Sequence, residues 1–489
     1  MAVGPRTPVL VGAGTAAQRP DDPRDGLEAA ALMAAACEDA ADDAGHRGLL
    51  RRAALVLVPE GTWHYADPAR LVASAVGARD ARTVLAKQGV LQTTLFERAA
   101  SAIQRGGADV VVVVGGEAKW RDLRGAITGE PATVTVQEGV APDEALAPDG
   151  ALISRREVGA GLVSAAAHYA MVEHARRLAD GQAVTAHAEA IASLWERFNR
   201  VARANPSAWN AAPMTASEIA TPGPRNRPIA TPYLKWHTSQ WNVDQAACLL
   251  ICSAEAARAA GVPADRWVFP EVVASSDHMV PVCERALLHR APGFALAGSA
   301  ALGHAAVGID DVAHVDLYSC FPIAVRTQAL ELGLGPSRDL TVTGGMTFAG
   351  GPLNNYVLQS AAKMASVLRA EPEARGLVTA ISAMITKQGV SLWSCRPPAR
   401  DFAAIDLSAD VAGATPTVTV TDGAAGVSTI VTYTVLHDPG GSPTRAVVLV
   451  EQRDGSRALA TSEDAAAGLA EGEWCGREVE LDGAGGFRA

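Results

Sequence analysis

The chain has 489 residues, 48% of them hydrophobic and 19% charged, and a formal net charge of −11. That length holds two or three domains around a large core. The negative balance excludes general nucleic-acid binding, which needs phosphate neutralisation by Lys and Arg. No stretch reaches the roughly 18 apolar residues of a membrane span, so no membrane insertion is expected. The first residues show no signal-peptide pattern. The seven cysteines are scattered. Cys248 and Cys252 share an apolar run without a second pair, so they read as core thiols in a reducing cytoplasm and no metal site is expected.

In chain order, "MAVGPRTPVLVGAG" opens straight into a strand. A helix is expected over residues 26–45, a strand over 53–59, a helix over 92–104 and a strand over 109–115, the last a five-valine run closed by Gly115-Gly116. Residues 121–227 are richer in Pro and polar side chains, with helices near 163–177 and 184–202. They read as an insertion over one end of a sheet, a place from which loops often cover a site. The helix–strand–helix–strand order then returns: a helix before Gly308, a strand over 313–319, a helix after "NN" at 354–355 and a strand over 376–384. Apolar runs this continuous suit strands buried on both faces. Two such βα halves satisfy the layer rule with sheets inside and helices between and outside. Past "WSCRPPAR" (393–400) apolar and polar residues alternate. Turn signals fall at Asp422-Gly423, Asp438 to Gly441 and Asp454-Gly455. That predicts an antiparallel meander forming a small barrel. The expected domains are 1–265 with the insertion, 266–398, and a β domain over 401–489.

The blocks "GADVVVVVGGEA", "VDQAACLLICSAEAARAAGV", "HVDLYSCFP", "TVTGGMTFAGGPLNNYV" and "GLVTAISAM", taken in order, resemble the thiolase superfamily. The nearest resemblance is to thiolase-like proteins of actinobacteria with an additional C-terminal β domain, relatives of the sterol-carrier type. The resemblance implies an α/β fold of two repeated βα halves in αβαβα layers plus the small β domain. It implies CoA or acyl-CoA as ligand, with no covalently bound cofactor. It also implies acyltransferase chemistry of the acetyl-CoA acetyltransferase kind, which needs a cysteine nucleophile, a histidine to activate it, a second cysteine as acid/base and an oxyanion hole. Matched block by block, the nucleophile falls at Gly89, the histidine at Gly351, the second cysteine near Ile381 or Ser382, and the oxyanion group at Tyr318. Cys320 and Phe321 keep the sterol-carrier form of that last motif. All four catalytic types are absent, so ordinary thiolase activity is not expected.

Several residues remain as candidates. Tyr318 and Tyr356 offer acid/base groups for a retro-aldolase-like reaction on a CoA thioester, or they fill vacated space. Asn354 and Asn355 offer hydrogen bonds to a thioester carbonyl, or cap the helix they precede, which is the commoner use of Asn. Lys119, Trp120 and Arg121 offer cations and an indole to CoA phosphates and adenine, or form a solvated basic turn. Trp236, His237 and Ser239 (with Gln240) lie before the "DQAA" block, in the region that approaches pantetheine in thiolases. His278 and His304 read as packing or capping histidines. Three readings follow: a CoA-binding protein with altered catalysis, a non-covalent C–C bond enzyme, or a scaffold whose β domain docks a protein partner. Thiolases pair through the strand before the nucleophile, here near residues 81–88, whereas the extra-domain relatives are expected to be monomers; both a monomer and a homodimer stay open.

Overall fold

The valine run becomes the middle of a six-stranded sheet. In the computed structural model, which describes residues 3–489, its strand order is Pro8–Gln18, Asp244–Ser253, Val110–Ala118, Leu55–Pro59, Arg82–Ala86, Glu144–Leu146. Every residue of Val110–Ala118 and of Asp244–Ser253 is buried. Both faces of the sheet are covered, so these strands read as unbroken apolar runs rather than alternating ones. The second sheet runs His314–Asp316, Arg375–Ser382, Lys387–Ser394, Phe269–Ser276, Ala403–Asp406.

Between the sheets lie the helices Thr93–Gln104 and Tyr356–Ala370. Their apolar sides meet Val111 and Val113 of the first sheet and Val273 and Val378 of the second. Phe96 stands edge-on to Trp393 at 5.4 Å between ring centroids. Helices Ala29–Asp43 and Pro68–Ala75 cover the outer face of the first sheet. Helices Pro292–Ala305 and Pro322–Glu331 cover the second. The result is the expected five-layer αβαβα arrangement. Its alanine and glycine content has a direct cause. Side chains built at Gly12 and Gly14 would meet the Ala40 and Ala36 carbonyl oxygens at 1.9 and 2.2 Å, so the first helix lies against the strand backbone itself.

The insertion does more than cover. Its strand Glu144–Leu146 pairs in parallel with Arg82–Ala86 and finishes the first sheet on that side. Asp143 holds the splice: its Oδ2 accepts from the Thr83 N–H at 2.8 Å and from Arg70 Nη2 at 2.8 Å. The edge through which a second chain would pair is therefore occupied from within. The insertion helix Ala165–Ala179 is buried on most sides. Tyr169 stacks on Phe321 of the second half at 4.5 Å, and His174 stacks on Tyr433 of the C-terminal sheet at 4.1 Å.

The C-terminal sheet differs from the expected closed barrel. Its path is Arg457–Ser462, Pro443–Glu451, Ala425–His437, Glu478–Asp482, Phe487–Arg488. The two ends approach at one isolated bridge, Thr461 to Gly486. The last strand is two residues long, too short to zip the ends together. Pro228–Ala230 and Tyr233–Leu234, from the insertion, add to the same sheet. Among the described residues no helix is long and apolar enough to cross a membrane.

Candidate active site

The positions singled out by the thiolase blocks are joined by a chain of direct contacts. Gly89 sits in the turn before the helix Thr93–Gln104, with φ +98°. A side chain there would begin 2.8 Å from Pro148 Cγ and 2.9 Å from Leu152 Cδ2. Insertion residues thus fill the space of a side chain at this position, and the backbone adopts a conformation open to glycine and strained for other residues. Lys387, 1% exposed, places Nζ 3.2 Å from the Gly89 carbonyl oxygen and 3.4 Å from Asp277 Oδ1. Lys387 pairs in register with Ser382, and Gln388 with Ile381, so the second-cysteine position lies beside the same turn.

Gln92 connects that turn to the loop of Gly351. Its Nε2 donates to Asn354 Oδ1 at 3.1 Å, and its Oε1 accepts from the Val357 N–H at 3.0 Å. The first turn of the helix Tyr356–Ala370 is therefore served by Gln92. Neither Asn354 nor Asn355 caps it with a side chain. Asn354 has φ +56° and donates to the Glu60 carbonyl. Asn355 is buried against Gly115, and both of its side-chain polar atoms lack a partner. Gly351 is enclosed by Met346 and by Ser239, whose Oγ donates to the Cys320 carbonyl at 3.1 Å.

The two tyrosines stand edge to face at 6.0 Å but differ in engagement. Tyr356 is buried, and its hydroxyl donates to Asp316 Oδ1 at 2.9 Å and meets Thr343 Oγ1 at 2.7 Å. Asp316 is fully buried and also accepts from Ser360 Oγ, Thr341 Oγ1 and the Val342 and Thr343 N–H groups. Tyr356 thus belongs to a satisfied network that fixes the loop 341–344. Tyr318 is half-buried, and its hydroxyl makes no hydrogen bond among the described residues. Burial first, and the Cys320 thiol second, raise its pKa far above the ordinary phenol value. It stays protonated at neutral pH, able to offer a hydrogen bond and unsuited to serve as a resting base. Burial pushes the Cys320 thiol up to about 12, which leaves almost no thiolate at neutral pH.

The basic stretch splits in two. Arg121 is turned inward, Nε to the Pro23 carbonyl and Nη2 to the Thr133 carbonyl, so it offers nothing to a phosphate. Lys119 stays out, its Nζ 4.4 Å from the centroid of Trp241. Trp120 donates to the Pro20 carbonyl and stands edge-on to Trp209. His237 is buried, its Nδ1 accepting from the Leu234 N–H; burial lowers its pKa to about 4 and keeps it neutral. Trp236 and Ser239 remain half-buried. His304 meets the Asp401 carbonyl at the surface, and His278 lies half-buried.

Sequence reading missed Gln92, Lys387, Asp316 and Glu117. Lys387 had a signal, an ammonium at the head of an apolar strand. Glu117, at the end of the valine strand, is 1% exposed and accepts from Thr62 N and Oγ1 at 2.6 Å each. Burial raises its pKa to about 7 despite those bonds.

Residues 406–485 match the family described as the thiolase-like protein type 1 additional C-terminal domain. No protein of curated function matches the chain by sequence. Among solved structures, a monomeric SCP2-thiolase like protein type 1 from Mycobacterium smegmatis is 30% identical with a TM-score of 0.83, each chain covered over 100% of its length. An Ltp2-ChsH2(DUF35) aldolase (19% identity, TM-score 0.59) matches 80% of this chain and 99% of its own. An acetyl-CoA acetyltransferase from Syntrophomonas wolfei (17% identity, TM-score 0.56) has the same coverage. The last two share the fold; the first, alike over the whole of both chains, together with the matched C-terminal domain, places this protein in the family of type 1 SCP2-thiolase-like proteins.

Proposed function

We propose that the protein binds CoA or acyl-CoA thioesters on a thiolase fold without forming a covalent acyl-enzyme. The observation that carries this reading is the closed turn at Gly89. Its backbone has φ +98°, and Pro148 and Leu152 occupy the space of the missing side chain. A thiolase distributes its work over a nucleophile, its base and a second acid/base, and Gly89, Gly351 and Ile381/Ser382 supply none of these. Half-buried Ser239, beside Gly351, and half-buried Trp236, three residues before it in the chain, are the groups we assign to a thioester arm, and Lys119 with Trp241 offers a cation on an indole face. The test is a thermal-shift titration with CoA and acetyl-CoA, paired with a thiolysis assay on acetoacetyl-CoA. A ligand that binds only the folded state raises the melting temperature with dose. The expected result is a dose-dependent rise with no thiolysis. Turnover of acetoacetyl-CoA at enzymatic rates overturns the reading, as does an unmoved transition at millimolar ligand.

One observation favours a second reading, C–C bond cleavage without a covalent intermediate. Tyr318 alone of the two tyrosines has an unengaged hydroxyl, held protonated beside the site. Such a group donates a hydrogen bond to a developing oxyanion. Retro-aldol cleavage of a β-hydroxyacyl-CoA that survives in Tyr318→Phe removes this reading.

A further inference from the structure

Away from the Gly89 turn, the first sheet's edge strand and the helix Tyr356–Ala370 enclose an open cleft of about 340 Å³. Its small lining residues are Ala13, Ala16 and Ala17 of the strand and Ala362 of the helix. Its walls are polar. Thr15 Oγ1 and Ser207 Oγ face each other at 3.4 Å. Gln359, Lys363 and Ser366 follow one another along the helix at the spacing that keeps side chains on one face. Lys363 makes no salt bridge and no side-chain hydrogen bond among the described residues, and the Gln359 amide is equally free of protein partners. No carboxylate lines the cleft, although the chain carries 53 acidic residues against 42 basic ones. The nearest carboxylates, Asp39 and Asp43, are taken up by the backbone N–H groups of Thr15 and Ala13.

A cation–aromatic cluster lies beside the cleft, two residues past its lining residues Ala17 and Ser207. Thr15 and Ala17 alternate along the strand onto one face, and Arg19 continues the alternation just past it. Across from them, Trp209 stands two residues beyond Ser207. The Arg19 guanidinium lies over the Trp209 ring, 4.2 Å from its centroid, and 5.4 Å from that of Trp120. Arg19 has no carboxylate partner among the described residues and is exposed. A cation seated on indole faces, with its donors unspent, is a surface on which a flat base stacks and is held at its polar edge.

We infer that this cleft is a binding site for a purine nucleoside monophosphate. The base lies on the neighbouring Arg19–Trp209–Trp120 cluster, and the ribose crosses Thr15 and Ser207. The phosphate is held by Lys363 with Ser366 and Gln359. The volume falls at the small end of the range for ligand pockets, which suits a mononucleotide. The cleft adjoins the candidate site through Thr343 and Ala349, but the inference does not rest on the CoA reading, because the ligand needs neither a thioester nor a pantetheine arm.

The experiment is calorimetric titration of the full chain with AMP, repeated with adenosine and with inorganic phosphate, while tryptophan fluorescence reports on Trp209 and Trp120. Saturable AMP binding is expected, with both fragments weaker by about tenfold or more. Arg19→Gln and Lys363→Gln, both solvent-accessible changes, are each expected to weaken AMP by a similar factor without moving the melting temperature. Exposed Lys235→Gln, away from the cleft, serves as the control and is expected to bind as the parent chain does. Absence of saturable AMP binding at millimolar concentration overturns the site. So does AMP affinity unchanged in either Arg19→Gln or Lys363→Gln, or binding of adenosine as tight as that of AMP. If CoA shifts the melting temperature and AMP does not bind, this inference fails while the proposed function stands.

Discussion

Gly89→Cys puts a thiol at the position to which the thiolase resemblance assigns the nucleophile, and the structure says what that substitution costs. At φ +98° any side chain carries backbone strain, of order 1–2 kcal/mol for a left-handed conformation. The new Cβ would also begin 2.8 Å from Pro148 Cγ and 2.9 Å from Leu152 Cδ2, closer than carbon atoms approach. Pro148 is a ring that cannot rotate away, so the segment 148–152 must move. Overpacking of this kind costs about 1–3 kcal/mol. The variant is expected to lose about 2–5 kcal/mol altogether. The assay is urea unfolding followed by circular dichroism, with iodoacetamide labelling of the native variant and thiolysis of acetoacetyl-CoA alongside. The expected outcome is an earlier first transition and no thiolysis, because Gly351 supplies no histidine to activate the thiol. A variant as stable as the parent, with a rapidly labelled thiol, would falsify the claim that the insertion closes this turn.

Three other outcomes follow from single contacts. Glu117 has its pKa raised to about 7 by burial, so its ionised form is disfavoured in the folded state. Stability is therefore highest below the ordinary glutamate value, falls as pH rises from about 4.5 to about 7 and is level above that, the whole loss being at most about 3 kcal/mol. Melting temperatures of Glu117→Gln should be level between pH 6 and 7 where the parent's fall, and should exceed the parent's at pH 8; a shallower slope between about pH 4 and 6 remains, since burial also raises Asp244 to about 6; an unaltered slope between pH 6 and 7 refutes the assignment. Tyr356→Phe withdraws a hydroxyl from Asp316 and Thr343 and should cost about 2 kcal/mol, whereas Tyr318→Phe, with no hydroxyl partner, should stay within about 0.5 kcal/mol in the same denaturation assay. Equal losses would show that the network does not distinguish them. The double substitution Asp143→Ala with Glu144→Ala releases the strand that covers Arg82–Ala86, and light scattering should then detect self-association absent from the parent; an unchanged mass would mean that the edge is protected by something else.

The apolar runs determined much of the fold on their own. Val110–Ala118 reads as a doubly buried strand because solvent reaches neither face, and the repeated helix–strand order follows from the same burial in both halves. The thiolase resemblance rested on those blocks in order, and the absence of a nucleophile at Gly89 was visible as a residue type. A one-dimensional pattern does not say what fills an empty position. That Pro148 and Leu152 close the turn, that Gln92 rather than an asparagine serves the neighbouring helix, and that Asp316 absorbs the Tyr356 hydroxyl all depend on residues brought together from distant parts of the chain. The same limit applies to charge. "KWRDLRG" presents Lys119 and Arg121 as equals, yet the backbone carbonyls of Pro23 and Thr133 take Arg121 inward and leave Lys119 at the surface. Burial periodicity is a local property and is written in the sequence. Which buried polar group meets which partner, and which cation stays free, is decided only when the layers close, because an unpaired polar group inside costs more than any local preference can return.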